Sequence, residues 1–233
     1  MNTIIAAKGI TKLFAGKPAL DQVSFSIESG RIVGLMGPNG AGKTTLIKSI
    51  MQLYHLDGGT IDVCGAPASY RSREFLAYMP DTNALFNWMS IHDAIHYYKD
   101  MNSDFDLVRA RDLCNSLQLD EKGKVKHLSK GTIERVLIML TFARNARLYL
   151  LDEPIGGVDP LGRGKILRTI LAGVNEESSV LISTHLVKDV EAIVDDLLFI
   201  HNGRILLSES ADHLRETRGQ SIEECYLEVF ENA

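Results

Sequence analysis

The run Gly37-Pro38-Asn39-Gly40-Ala41-Gly42-Lys43-Thr44-Thr45 constrains this chain more than any other part of it. It follows a strand expected at Ile32 to Met36 and opens a helix expected from about Lys43 to Tyr54. It fits the pattern G-x-x-x-x-G-K-[ST] in full, in the strand-to-helix context that gives the pattern its chemistry. Glycines let backbone N–H groups curl around a phosphate chain without side-chain obstruction. The helix N-terminus adds unpaired donors and a dipole that favours an anion. Lys43 is expected to reach β- and γ-phosphates, and the Thr44 hydroxyl to ligate Mg²⁺.

The rest of the chain reads as strands alternating with helices. Ile4 to Ile27 alternates apolar and polar residues in short runs, as half-buried strands do. Further strands are expected at Phe75 to Met79, Leu148 to Leu151, Val180 to Ile182 and Leu197 to Ile200. Between Ser90 and about Ala146 the pattern is mostly helical, with Ile91, Ile95 and Tyr98 at i, i+4 and i+7. Alternating strands and helices suggest a parallel sheet covered on both faces, and the long helical block suggests an inserted subdomain.

The apolar strand Leu148-Tyr149-Leu150-Leu151 ends in Asp152 and Glu153. A buried parallel strand delivers such carboxylates to the sheet's C-terminal edge, where ligands of these folds bind. Asp152 is expected to hold the shell of a Mg²⁺ ion, and Glu153 to orient and polarise an attacking water.

Composition narrows the function classes. The 233 residues are 45% hydrophobic and 24% charged, ordinary for a soluble globular domain. A net charge of −5 argues against a face built for nucleic-acid phosphates. Cys64, Cys114 and Cys225 form no Cys-x-x-Cys pair and read as reduced cytosolic thiols. Met1 to Ile5 lack the basic and apolar regions of a signal peptide. The longest apolar runs, Val136 to Leu140 and Leu197 to Ile200, fall far short of the ~20 residues that span a bilayer.

Taken in order, these features resemble the ATP-binding cassette (ABC) family over essentially the whole chain. Leu128-Ser129-Lys130-Gly131 looks like its signature, although Thr132-Ile133-Glu134-Arg135 departs from the commoner Gly-Gln run. Gly157-Val158-Asp159-Pro160 is similar to its D-loop. Val180 to His185 looks like the strand leading to its switch histidine, and Phe14 sits where the family places an aromatic that stacks on adenine. The resemblance implies an α/β fold: a P-loop NTPase (RecA-like) core with an antiparallel N-terminal β subdomain and an inserted helical subdomain. A single domain over 1–233, with the insert at 83–147, is expected.

The same resemblance implies ATP hydrolysis with Mg²⁺, coupled to a separate transmembrane permease, by a subunit that is cytoplasmic and peripheral on the inner face of the cell membrane. It implies a head-to-tail homo- or heterodimer in which Ser129 and Gly131 of one subunit, with Asp159, cover ATP seated on the other's Gly37–Thr45 loop. His185 would contact the γ-phosphate. Soluble relatives acting on ribosomes or DNA carry features that this chain lacks, such as paired cassettes or coiled coils. A small-molecule kinase would have no use for the signature segment.

Ala77-Tyr78-Met79-Pro80-Asp81 resembles the Q-loop, with Asp81 in place of glutamine. An aspartate can ligate Mg²⁺ but cannot donate a hydrogen bond, so Asp81 is expected at the metal. The substitution also points to a drug- or peptide-export branch similar to bacitracin-type exporters. His92 and His96, at i and i+4, read as surface residues of an amphipathic helix rather than metal ligands. Phe86, Trp88 and Met89 read either as core of the insert or as a contact surface for the permease. The pairs Asp195-Asp196 and Glu223-Glu224 read as solvated faces.

Overall fold

The computed structural model describes residues 3–231; Met1 and Asn2, the start of the segment read as lacking a leader, lie outside them. In chain order, the strands are β1 (Thr3–Phe14), β2 (Lys17–Glu28), β3 (Ile32–Met36), β4 (Gly58–Val63), β5 (Ala66–Pro67), β6 (Leu76–Met79), β7 (Leu148–Asp152), β8 (Ser179–Thr184), β9 (Asp196–His201) and β10 (Arg204–Ser210). The α-helices are α1 (Lys43–Ile50), α2 (Ile91–Met101), α3 (Leu107–Ser116), α4 (Lys130–Phe142), α5 (Pro160–Gly173), α6 (Val187–Val190), α7 (Ala211–Arg218) and α8 (Ile222–Glu231).

The N-terminal stretch makes two long, half-buried strands. They are joined at Ala15 and Gly16, both at positive φ, as a tight hairpin turn requires. Together with β4 and β5 they form an antiparallel sheet in the order β2-β1-β4-β5. The second sheet runs β10-β9-β3-β8-β7-β6; its pairs from β9 to β6 are parallel, and β10 returns antiparallel on the edge.

Every residue of β3, β7 and β8 is buried, which is why they read as continuous apolar runs. Their side chains still alternate between faces. Leu148 and Leu150 pack with α1 and the antiparallel sheet, whereas Tyr149 and Leu151 pack with α4, α5 and α8. Between β6 and β7 the chain makes α2, α3 and α4, and their apolar residues join the second of these cores.

Helix α1 stops at Ile50, short of the expected Tyr54. Gln52 takes φ 54°, its N–H donates to Ser49 O at 3.0 Å, and Leu53 N–H donates to Lys48 O at 2.9 Å. That is the paired bonding of a Schellman ending, here with glutamine in the left-handed position that glycine usually fills. Phe75 falls in the 3₁₀ turn Tyr70–Phe75 that precedes β6. Among the described residues, no helix is long and apolar enough to cross a membrane, and the three cysteines are unpaired.

Candidate active site

The glycine-rich loop joins β3 to α1. Gly42, at φ 110°, caps the helix, and a Cβ there would sit 2.7 Å from the carbonyl oxygen of Ala19, so no other residue fits without strain. Lys43 follows with its side chain folded back along the loop. Its Nζ donates to the carbonyls of Gly37 at 2.7 Å and Pro38 at 3.2 Å and lies 3.2 Å from Glu153 Oε1. Only 6% of Lys43 is exposed. The Glu153 contact is close but is not aligned as a hydrogen bond, so attraction between opposite charges is what holds it.

β7 carries Asp152 to the same edge. This carboxylate is fully buried; its Oδ1 accepts from Ser183 Oγ at 2.5 Å and Thr44 Oγ1 at 3.1 Å. Burial pushes its pKa up, the two hydroxyls pull it back, and Asp81 and Glu153 add like-charge repulsion. Sequence reasoning missed Ser183. The available signal was register, because β7 and β8 run parallel and set Asp152 opposite Ser183.

At Glu153 the backbone turns to φ 51°, a conformation costly for a non-glycine residue and concentrated at functional sites. Its N–H donates to Ser183 O at 3.1 Å, and the turn sends the side chain back over the loop. There Glu153 Oε2 lies 3.0 Å from His185 Nδ1, just past the end of β8. Lys43, Glu153 and His185 thus form one chain of contacts.

Ala19, Asn39, Gly40, Gly42, Lys43, Thr44, Thr45, Asp81 and Glu153 line a single cavity of about 290 Å³. Ala19 was not foreseen; the antiparallel sheet brings it there. Asp152 Oδ2 is buried without a hydrogen-bond partner, and an orphaned carboxylate oxygen beside the Thr44 hydroxyl suits a hard cation. No group of three or more His, Cys, Asp or Glu among the described residues forms a ready-made metal cage. The donors present fit Mg²⁺, which binds through one or two protein ligands together with phosphate oxygens.

The family described as "ABC transporter" matches residues 20–156. Over 97% of its length the chain is 30% identical to the ABC-type transporter ATP-binding protein EcsA of Bacillus subtilis, covering 96% of that protein. The chain belongs to the ABC transporter family. It is an ATP-binding subunit and an ATPase of that family. It is also 31% identical to the lipopolysaccharide export system ATP-binding protein LptB of Escherichia coli, with 87% of this chain and 88% of that one aligned. A solved structure of an ATP-binding subunit of an ABC transporter superposes with a TM-score of 0.87 at 27% identity, over 97% of this chain and 99% of that one.

The remaining ABC positions lie outside the cavity. Phe14, at the end of β1, is 43% exposed and meets Tyr54 edge-on at 5.2 Å, with Lys12 Nζ 5.5 Å from its ring centre. Ser129 caps α4 by accepting from Thr132 N–H at 3.2 Å, and its hydroxyl lies 2.8 Å from that of Thr132. Asp159 caps α5, accepting from the N–H groups of Leu161 and Gly162 at 3.1 Å. Gly131 packs against Gly157 and Val158, beside Asp159. Ser129, Gly131 and Asp159 therefore group at a second place on the surface.

His92 and His96 are exposed on α2, with His92 Nδ1 3.2 Å from Glu121 Oε2. Met89 is buried, whereas Phe86 and Trp88 are exposed and stacked at 6.0 Å.

Proposed function

We propose that this chain binds and hydrolyses ATP in order to drive a separate transmembrane permease, working as a dimer with a second cassette, identical or different. The observation that carries this reading is the placement of Glu153 between Lys43 and His185 on the cavity formed by the phosphate-binding loop.

In this reading the N–H groups of the loop and the start of α1 cradle the phosphates, and Lys43 neutralises their charge. Thr44 and Asp152 would hold Mg²⁺, with Asp81 beside them, and the ion would supply positive charge against the phosphates. Glu153 accepts a hydrogen bond from the attacking water and polarises it, while His185 orients Glu153 and reaches the γ-phosphate. Phe14 stacks on adenine. Ser129, Gly131 and Asp159 close over ATP held by the partner's loop, so ATP favours the closed dimer and hydrolysis removes that preference.

Residues 83–147 act as the helical subdomain within one cassette spanning 1–233. The exposed aromatics Phe86, Trp88 and Tyr97 form a patch that suits a permease surface. The subunit accordingly sits at the inner face of the cell membrane through its permease and has no nucleic-acid partner.

One purification tests the whole. The chain is isolated from detergent-solubilised membranes, the co-purifying membrane protein is identified, and the fate of γ-phosphate is followed. Free phosphate released with a permease bound is the expected result. Phosphate transferred to a small molecule, with no membrane protein present, would replace this reading with that of a kinase.

A further inference from the structure

Glu134 lies in α4, one turn past the Ser129–Gly131 segment, and only 5% of it is exposed. A carboxylate so deeply buried is costly unless it is paired or hydrogen-bonded. Its Oε2 accepts the N–H of Gly157 at 3.1 Å, and Oε1 lies 3.8 Å from Lys130 Nζ. Gly157 belongs to the turn between Glu153 and α5, so the bond ties two separate elements together.

The two segments pack closely. A Cβ on Gly157 would lie 2.5 Å from Glu134 Oε1, and one on Gly131 would lie 3.2 Å from the carbonyl oxygen of Gly157. The turn is held from its far side too. Arg163 Nε donates to Val158 O at 3.0 Å, and Arg163 Nη1 donates to Asp189 Oδ2 at 2.6 Å in α6, the helix that follows His185. Named contacts therefore run from the start of α4 to the Gly156–Asp159 turn, whose Gly156 N–H donates to Glu153 O at 3.3 Å, and on to α6, which begins shortly after His185.

We infer that Glu134 is a positioning residue that couples the Ser129–Gly131 end of α4 to the Glu153–Asp159 turn of the same subunit. The inference rests on the shared-site dimer proposed above. When Ser129 and Gly131 engage ATP on the partner, the shift of α4 reaches the subunit's own catalytic turn through the Glu134–Gly157 bond. Each subunit's hydrolysis is thereby made to depend on its contact with the other's nucleotide. The residue acts through Gly157.

Such a link separates association from turnover. Glu134→Leu keeps bulk and removes the acceptor, whereas Glu134→Gln keeps an oxygen that can accept from Gly157. Both full-length variants are compared with the parent for nucleotide binding, for kcat and KM, and, in a Glu153→Gln background, for ATP-dependent dimer formation by light scattering. Glu134→Leu is expected to bind nucleotide and dimerise like the parent while kcat falls about tenfold at unchanged KM, with Glu134→Gln restoring most of the rate. An unchanged kcat, a parallel loss of dimer and rate, or failure of Glu134→Gln to restore the rate would overturn the coupling role. Absence of any ATP-dependent dimer in the Glu153→Gln chain itself would instead overturn the shared-site reading beneath it.

Discussion

At Glu153 the chain takes φ 51°, and that turn sets its carboxylate against both Lys43 and His185. Glu153→Gln keeps the shape but loses the charge that polarises water. Hydrolysis should fall by a factor of about 10² or more while ATP still binds. Phosphate release and equilibrium nucleotide binding check the two halves of this expectation, and wild-type turnover would remove Glu153 from the role.

Asp81 stands where the resemblance to the Q-loop expects glutamine. Its carboxylate lines the cavity and takes no hydrogen bond among the described residues, and the turn after it is closed by Asn83, whose Oδ1 accepts from Leu85 N–H at 2.9 Å. Asp81 also raises the cost of ionising Asp152, so the acidic edge tolerates full charge best beside a cation. Asp81→Ala should raise the Mg²⁺ concentration needed for half-maximal hydrolysis and change metal-free nucleotide affinity little. Asp81→Gln should recover much of the loss, because an amide oxygen can still ligate the ion. An unmoved Mg²⁺ titration in Asp81→Ala retires the metal role.

Among the elements, β3 shows how much depends on one side chain from elsewhere. The Asp195-Asp196 pair reads as a solvated face in sequence, yet Asp195 Oδ2 accepts the N–H of buried Ile32 at 2.8 Å. Asp196 is half-buried with its pKa pushed up by burial, and Arg31 Nε lies 3.8 Å away. Glu224, by contrast, is exposed and caps the start of α8, accepting from Ser221 N–H at 2.7 Å. Asp195→Ala strands the Ile32 donor at the root of the strand that leads into the phosphate-binding loop. Leaving a buried donor unsatisfied costs about 1–3 kcal/mol. In a chain of this size that lowers Tm by about 2–4 °C per kcal/mol, measurable by calorimetry. A Tm equal to the parent's would show that water takes over the bond.

On the scale of the whole molecule, the proposed permease contact rests on the exposed aromatics beyond β6. Phe86 and Trp88 are 53% and 65% exposed and are not among the cavity-lining residues. Replacing both by serine should reduce recovery of the chain with membranes while ATP hydrolysis by the purified chain stays unchanged. Fractionation and a phosphate assay, run on the same preparation, check this; full membrane recovery would move the docking surface elsewhere.

The phosphate-binding loop, the Asp152-Glu153 pair and the parallel strands were legible in the sequence because each rests on local chemistry. Glycines, a helix start and an apolar run followed by acids carry their meaning within a few residues. The edge strand β10, the early end of α1, the inward turn of Asp195 and the pairing of Ser183 with Asp152 were not legible. Each depends on what lies across the sheet or at a helix end. The Glu134–Gly157 bond is of the same kind: residues 23 apart in sequence meet only because α4 and α5 share a core. Local pattern thus determined which groups this protein carries, and tertiary packing decided which of them face one another, because burial and hydrogen bonding are settled between elements and not within them.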